Sequence, residues 1–225
     1  MFHVKQRLTA DAFQTLSGVD VRTLDRLEAY LGLVRKWQPR INLVGRGSLD
    51  DPWRRHILDS AQLVPLLPAQ ESVIVDIGSG AGLPGLIIAI VANRPVHLVD
   101  SDTRKCAFLR EAARLTEAPV TIHNQRIERL GSLKADVVTA RACAPLPQLL
   151  QYAAALLHPG GRCLFLKGRS AAAELTASEK TWMMRATRLQ SHSDPSGMIL
   201  MVDDLHPREN PNLDDPRFAK PASAD

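Results

Sequence analysis

Residues 72–85 read SVIVDIGSGAGLPG, an apolar run that leads directly into a glycine-rich segment. The run SVIVDI has the length and β-branched content of a buried strand, and the apolar residues after the glycines predict a helix. In a doubly wound α/β sheet, the ligand binds at the turn between such a strand and helix. Gly78, Gly80 and Gly82 allow a tight turn and leave no side chain between the backbone and the ligand. This stretch therefore predicts an α/β fold with a nucleotide-like cofactor.

The sequence after this loop alternates between strand-like and helix-like segments. The runs PVHLVD, PVTIHN, ADVVTA and GRCLFLKG are short and strand-like, and helical stretches separate them. This alternation is typical of a mostly parallel sheet with helices on both faces. A further helix is predicted over residues 171–183. Beyond it, two strands flank the turn DPSG, which indicates an antiparallel edge of the sheet.

The residues before the loop are predicted to be helical. We expect three helices, over residues 10–16, 21–37 and 52–67, the last of them capped by Asp50 or Asp51. The middle helix repeats leucine and valine at spacings of three and four, so it has one apolar face.

The chain is divided by these patterns into three parts. Residues 1–70 form a helical extension, residues 71–203 form the main domain, and residues 204–225 form a tail. The tail is rich in Pro and Asp and has little to bury, so we expect it to be disordered. With 225 residues, 45% of them hydrophobic, the chain can bury a substantial core.

Composition and charge exclude several classes of protein. With three Trp, two Tyr and five Phe, the chain has too few aromatic residues for an RNA-binding surface of stacked rings. Its three cysteines are odd in number and far apart in sequence, which argues against a disulfide framework or a zinc site, and we expect no metal. The first residues lack the apolar run of a signal peptide, and the most apolar stretch is too short for a bilayer span. We therefore expect a cytoplasmic protein.

The glycine motif alone fits two kinds of cofactor. Gly80, Gly82 and Gly85 satisfy G-x-G-x-x-G, and Asp100 follows about twenty residues later, as in dinucleotide-binding proteins. Asp76, two residues before the first glycine, suits a ligand that carries an ammonium and a sulfonium better than a pyrophosphate. The block DIGSGAG also resembles the first motif of S-adenosylmethionine-dependent methyltransferases. We therefore favour S-adenosylmethionine over a dinucleotide.

Two acidic residues are candidates for the adenosine part of this cofactor. Asp100 ends a predicted strand, and its two carboxylate oxygens could accept hydrogen bonds from both ribose hydroxyls. Alternatively, Asp100 caps the helix that begins near Thr103. Glu128 follows the third predicted strand, where methyltransferases of this class place residues around the adenine, but a lone Glu is more often simply solvated.

Basic residues cluster in two regions, although the net charge is only +4. Clusters of this kind can contact RNA phosphates, and the alternative is a solvated face. Within the second region, Lys167 is the stronger candidate because it ends a strand at the ligand edge. His56 and Asp59 lie three apart on one predicted helix face, so they could pair with each other or close over the cofactor. The candidate RNA-binding residues are Arg35, Lys36, Arg40, Arg54, Arg55, Lys167 and Arg169.

Six sequence blocks together identify a family. They are WQPRINLVG, RRHILDS, VDIGSGAGLPGL, LVDSDTRKCAFL, TARACAPL and LFLKGR, in this order over residues 24–169. The pattern resembles the bacterial small-subunit rRNA methyltransferase G family, also called glucose-inhibited division protein B.

This resemblance implies a fold and a reaction. The fold is the Rossmann-like class I S-adenosylmethionine-dependent methyltransferase fold, a mostly parallel seven-stranded sheet with an antiparallel edge and a helical N-terminal extension. The reaction transfers a methyl group to N7 of the guanine at position 527, in the 530 loop of 16S rRNA, and releases S-adenosylhomocysteine. The implied partner is 16S rRNA or the small ribosomal subunit, and we expect a monomer.

The family's cofactor contacts fall on five positions of this chain. They are Gly78, Leu83, Ile127, Glu128 and Arg141. Arg141 is also a candidate for positioning the cofactor or the acceptor base, the alternative being a structural ion pair. We assign no catalytic acid or base, because guanine N7 carries a lone pair and no proton.

Three other functions remain open from the sequence. The chain could methylate another RNA or a small molecule, it could be an oxidoreductase with a nucleotide cofactor, or it could bind RNA without catalysis.

Overall fold

The structure is a computed structural model, and it describes residues 7–69 and 71–208. Its centre is one seven-stranded sheet in the order β3-β2-β1-β4-β5-β7-β6. Strands β1 to β5 are parallel, and β7 is antiparallel to both of its neighbours. The predicted mostly parallel sheet with an antiparallel edge is thus confirmed. The strands are β1 (Ile74–Ile77), β2 (Val96–Val99), β3 (Val120–His123), β4 (Ala135–Arg141), β5 (Leu157–Lys167), β6 (Trp182–Gln190) and β7 (Met198–Pro207).

Helices cover both faces of the sheet. The first four pack with α5 on one face, and the last two pack on the other. Helix α4 has the sequence GLIIAIVA and is almost entirely buried, because it lies between the sheet and the N-terminal helices. The helices are α1 (Ala10–Ser17), α2 (Val21–Trp37), α3 (Asp59–Ala61), α4 (Gly85–Ala92), α5 (Thr103–Thr116), α6 (Leu146–Leu156) and α7 (Ala171–Ser178).

The N-terminal helices share a hydrophobic core with the main domain. Phe13, Leu27 and Tyr30 are fully buried, and they belong to the same cluster as the buried side chains of α4 and α5. The phenol of Tyr30 donates a hydrogen bond of 2.8 Å to the carbonyl of Ala81 in the glycine loop. The extension is therefore built into the domain next to the cofactor loop.

The prediction of one regular helix over residues 52–67 is wrong. The chain instead forms a π-helical segment at Trp53–Leu58, then α3, then a 3-10 turn at Val64–Leu66. Pro65 contributes to this break, since it has no N–H to continue the α-helical hydrogen bonding. The Asp51 side chain does not cap a helix; it accepts hydrogen bonds from the Leu8 amide and from Arg54.

Two boundaries near the C-terminus also differ from the prediction. Helix α7 ends at Ser178, not near 183, because β6 begins at Trp182. Strand β7 continues to Pro207 and pairs with the start of β6, so residues 204–207, predicted to belong to the disordered tail, are ordered in the sheet. Residues 209–225 of the predicted tail lie outside the described residues.

Candidate active site

The glycine loop connects β1 to α4 at the carboxyl edge of the parallel strands. Gly78, Gly80 and Gly82 all have positive φ, from 57° to 83°, a conformation that favours glycine. The Gly80 amide donates a hydrogen bond of 2.8 Å to the Asp100 carboxylate at the end of β2. The loop is thus held against the neighbouring strand.

Two cavities border this loop, and a third adjoins them at Arg141 and Ala142. The loop cavity, about 580 Å³, lies between the glycine loop and residues 42–48. The strand-end cavity, about 260 Å³, lies beside the ends of β2 and β3, and the hairpin cavity, about 350 Å³, lies between the end of β5 and the β6–β7 turn. Ala142 lines all three cavities. Its φ of +49° is unusual for a residue with a side chain, and such conformations cluster at functional sites.

Most of the predicted cofactor residues line these cavities. Gly78, Gly80 and Leu83 line the loop cavity. Asp100, Ile127 and Glu128 line the strand-end cavity, and Gly78 lines that cavity as well. Arg141 lines both the loop cavity and the hairpin cavity. The structure therefore brings seven of the nine predicted residues to one continuous groove; the other two, Asp76 and Gly82, lie behind it.

Asp100 is oriented by the backbone on both sides. One carboxylate oxygen accepts from the Gly80 amide and the other from the Asp102 amide, each at 2.8 Å. A carboxylate oxygen has two lone pairs, so each can accept a further hydrogen bond. The alternative role of Asp100 as helix cap is wrong: Asp102 caps α5, accepting from the amides of Arg104 and Lys105.

Asp76 lies beneath the loop and not at the groove. Its side chain is fully buried and accepts a hydrogen bond of 2.8 Å from Thr139 on β4. Burial raises its pKa to about 7, and the hydrogen bond from Thr139 is the largest effect that opposes this rise. Its second carboxylate oxygen has no hydrogen-bond partner among the described residues. The geometry therefore does not support the predicted direct contact of Asp76 with the cofactor, because the residue is fully buried and lines none of the three cavities.

The raised pKa of Asp76 predicts that the stability of the fold depends on pH. In the unfolded chain its pKa is near 3.8, whereas in the folded protein it is about 7. The folded state holds the proton more tightly, so ionisation destabilises the fold as pH rises from about 4 to 7. In the wild type, ionisation of Asp76 should lower the free energy of unfolding by up to about 3 kcal/mol between pH 5 and pH 8. We expect Asp76→Asn to remove this part of the pH dependence.

Urea denaturation at pH 5 and pH 8 measures this difference directly. An equal pH dependence in wild type and Asp76→Asn would show that Asp76 is ionised throughout.

Gly82 and Gly85 are required for packing. A β-carbon at Gly82 would lie 2.7 Å from Cβ of Leu86, and one at Gly85 would lie 2.5 Å from Cβ of Asp76. Neither glycine lines any of the three cavities. Gly82 was predicted as a cofactor contact, but here it lets the loop pack closely against Leu86 of α4 and Leu109 of α5.

Arg141 is held by residues of the π-helical segment and α3. Its guanidinium donates to the Arg55 carbonyl at 2.8 Å and to Nδ1 of His56 at 2.9 Å, and it forms an ion pair of 2.9 Å with Asp59. His56 is almost fully buried, and burial together with the Arg141 and Arg55 charges lowers its pKa to about 3. His56 and Asp59, three residues apart in the sequence motif RRHILDS, thus meet at Arg141.

Three of the seven candidate RNA-binding residues form ion pairs, and one of these three, Lys36, is also exposed. Arg35, Arg40, Arg55 and Arg169 are exposed, and Arg55 lines both the loop cavity and the hairpin cavity. The other three are engaged in ion pairs: Lys36 with Glu111, Arg54 with Asp51, and Lys167 with Glu174. The side chain of Lys167 is only 10% exposed and pairs with Glu174, but Lys167 lines the hairpin cavity, so its phosphate contact stays a prediction.

Several residues of the groove were not predicted from the sequence. Lys105 lines the loop and strand-end cavities, Tyr152 and Cys143 line the strand-end cavity, and Ser193 lines the hairpin cavity. Lys105 had a detectable signal, since it lies in the first turn of the helix that follows Asp100. The others depend on tertiary packing.

The described residues, 7–69 and 71–208, contain neither a metal-binding cluster nor a membrane-spanning helix. Within these ranges, no group of three or more His, Cys, Asp or Glu side chains could hold a metal ion. None of the described helices is both long and apolar enough to cross a bilayer. Cys106, Cys143 and Cys163 are free thiols.

The order of the seven strands and the groove at their carboxyl edge are those of the class I methyltransferase fold. The structure is similar to a methyltransferase from Pyrococcus furiosus, with a TM-score of 0.54 and 16% identity, covering 80% of this chain and 98% of that one. It is also similar to TYW2 from M. jannaschii, solved in complex with AdoMet, with a TM-score of 0.52 and 15% identity over 74% of this chain and 78% of that one. At these identities the likeness shows the fold.

Sequence comparison identifies the family. Residues 23–196 match the family model described as rRNA small subunit methyltransferase G. The chain is 55% identical to ribosomal RNA small subunit methyltransferase G of Rhodospirillum centenum, covering 88% of this chain and 92% of that one. It is 57% identical to the protein of the same name from Paramagnetospirillum magneticum, over 85% and 93% of the two chains. The chain belongs to the rRNA small subunit methyltransferase G family, and S-adenosylmethionine is its methyl donor.

Proposed function

We propose that this protein transfers the methyl group to N7 of a guanine in 16S rRNA, the base at position 527 in the 530 loop. The observation that carries the proposal is the meeting of three cavities at Ala142. Two of them, the loop and strand-end cavities, share Gly78 and Lys105, so a methionine joined to an adenosine can extend from one into the other. The hairpin cavity borders the loop cavity and supplies a separate space for an acceptor base.

The residues of the groove fit S-adenosylmethionine. The Asp100 carboxylate would hold the ribose, Ile127 and Glu128 would flank the adenine, and Lys105 would pair with the methionine carboxylate. A β-carbon at Gly80 would have only one atom within 4 Å, the Gly78 carbonyl oxygen at 3.8 Å, so the backbone faces open space there. When bound, the cofactor supplies an electrophilic methyl group on a sulfonium centre.

The chemistry needs positioning more than proton transfer. Guanine N7 has an in-plane lone pair and no proton, so no side chain has to act as a general base. The work of the protein is to orient the base, exclude water and hold charged groups in fixed places. Arg141 lies at the border of the loop and hairpin cavities, where it can contact both ligands.

Methyl transfer to defined RNA tests the proposal. Labelled S-adenosylmethionine is incubated with small subunits, and separately with free 16S rRNA, from cells that lack this protein, and the modified base is mapped. We expect label at N7 of a 530-loop guanine. Label elsewhere would reject this acceptor but keep the chemistry. If the cofactor binds and neither RNA is labelled, the protein acts on another molecule or only binds RNA.

Arg55 is the basic residue best placed to contact RNA beside the groove. It is exposed and lines two cavities, whereas its neighbour Arg54 is paired with Asp51. We expect Arg55→Glu to weaken binding of 16S rRNA and to lower the slope of log affinity against log salt concentration by about one. Filter binding over a salt series measures both.

The matched control is Arg114→Glu on the last turn of α5, an exposed arginine that lines none of the three cavities. If both variants lose the same affinity, the effect reflects net charge, and Arg55 has no special place at the groove.

We also propose that the protein acts as a monomer in the cytoplasm. Support comes from the surface of the described residues, where only four large hydrophobic side chains are strongly exposed: Leu16, Val21, Leu115 and Met183. Stable homodimers bury larger and more continuous apolar areas. Light scattering of the purified protein would give the mass of one chain, and a concentration-independent double mass would contradict the proposal.

A further inference from the structure

Among the described residues, the side chain of Arg141 makes its polar contacts with one short segment of the chain, residues 55–59. One guanidinium nitrogen, Nη1, donates to the Arg55 carbonyl and pairs with Asp59, and the other, Nη2, donates to Nδ1 of His56. The Arg141 side chain is only 20% exposed. A long side chain is thus fixed at its tip, by groups that do not themselves belong to β4.

The contacts of His56 require one particular tautomer. A guanidinium can only donate hydrogen bonds, so Nδ1 of His56 must be the acceptor. The hydrogen of the neutral ring is then on Nε2, which lies 3.0 Å from the Ser48 hydroxyl, and Ser48 in turn donates to the Gly45 carbonyl at 2.6 Å. The chain of hydrogen bonds runs from Arg141 through His56 to the wall of the loop cavity.

Asp59 connects Arg141 to the opposite wall. Its second carboxylate oxygen accepts from the hydroxyl of Ser193 and, at 3.2 Å, from the amide of Gln62. Ser193 is buried in the β6–β7 turn and lines the hairpin cavity. Asp59 therefore joins Arg141 to the cavity in which we place the acceptor base.

We propose that His56 and Asp59 are positioning residues for methyl transfer, which lock the Arg141 guanidinium across the border between the loop and hairpin cavities. The proposal rests on the function proposed above. Ordering a free arginine side chain costs rotamer entropy, and in this network the side chain is already ordered when the protein folds. The locked guanidinium is then already in place when the two ligands bind, which lowers the barrier of the transfer step.

Two substitutions of His56 separate the positioning role from a structural one. His56→Asn keeps an oxygen acceptor close to the place of Nδ1 and loses the donor to Ser48. His56→Gln keeps a nitrogen donor close to the place of Nε2 and loses the acceptor for Arg141. Both variants lose one side of the buried hydrogen-bond chain, so a structural role predicts similar losses for the two.

We expect the single-turnover rate of methyl transfer to fall about tenfold or more in His56→Gln, and only about threefold in His56→Asn, at equal folded fractions. The Kd for S-adenosylhomocysteine, measured by calorimetry, should change less than the rate in both. Nitrogen-15 NMR of the Arg141 guanidinium should show slowly exchanging hydrogens in wild type and His56→Asn but not in His56→Gln. The matched control is His158→Gln, an exposed histidine at the start of β5 that lines none of the three groove cavities.

Equal rates in the two His56 variants, whether both are lowered or both match wild type, would overturn the proposal. If His56→Gln does not fold, Asp59→Asn supplies the same test: a rate loss of about tenfold without loss of cofactor affinity supports positioning, and an unchanged rate overturns it. The wild-type measurement distinguishes failure of the proposed function from failure of the proposed positioning role. Failure of wild type to label 16S rRNA rejects the proposed function, and the NMR comparison still decides whether His56 locks Arg141.

Discussion

Asp100→Ala is expected to raise the Kd for S-adenosylmethionine about 10- to 100-fold. A hydrogen bond to a charged group contributes about 1.5–3 kcal/mol, and each 1.4 kcal/mol is a factor of ten in affinity. The substitution removes the carboxylate that would accept from the ribose, and it also frees the Gly80 amide that this carboxylate holds at 2.8 Å. Isothermal titration calorimetry with S-adenosylmethionine measures the change.

Asp102→Ala is the matched control for this prediction. Asp102 lies two residues away and caps α5, but it lines none of the three cavities. Its replacement should cost about 1 kcal/mol of stability and leave the Kd unchanged. An Asp100→Ala protein with wild-type cofactor affinity would remove Asp100 from the site.

Gly82→Ala is expected to lower the free energy of unfolding by about 2–5 kcal/mol. A left-handed backbone conformation costs a residue with a β-carbon about 1–2 kcal/mol. Overpacking adds about 1–3 kcal/mol, since the new methyl group would lie 2.7 Å from Cβ of Leu86 and 3.1 Å from Leu109. Urea denaturation monitored by tryptophan fluorescence measures the loss.

Gly18→Ala separates the backbone contribution from the overpacking contribution. Gly18 ends α1 with φ +71°, and a β-carbon there would meet nothing within 4 Å. It should therefore lose only the backbone contribution, about 1–2 kcal/mol. If Gly82→Ala is no less stable than Gly18→Ala but binds the cofactor weakly, Gly82 is a groove residue, as the glycine motif alone predicts.

The fold was predictable because its signals are local. Each parallel strand is a short apolar run, and each following helix has its own periodicity, so the alternation shows in the sequence. The irregular path from Trp53 to Leu66 was not predictable, because the apolar pattern there fits a regular helix and the π-helical turn depends on tertiary contacts. The extent of β7 was missed for a similar reason: its last residues are polar, and they are ordered by pairing with β6.

The site residues that were predictable are those that follow or end a parallel strand. Gly78, Asp100 and Arg141 each follow or end a parallel strand, and the topology alone brings such positions to one edge. Asp76 and Gly82 belong to the same motif, yet the structure turns them away from the groove, and only packing distances reveal this. The partners of Arg141 lie 82 to 86 residues earlier in the chain, a separation over which the sequence pattern carries no contact information.

The core shared by the N-terminal helices and the main domain limits how this protein can be inherited or engineered. Tyr30 of α2 supports the loop at Ala81, and the apolar helix α4 is covered by the same extension. A gene fragment that encoded residues 71–208 alone would leave α4 facing water. The extension cannot be exchanged as a module to retarget the enzyme. New acceptor preferences must instead arise by substitution within one indivisible unit.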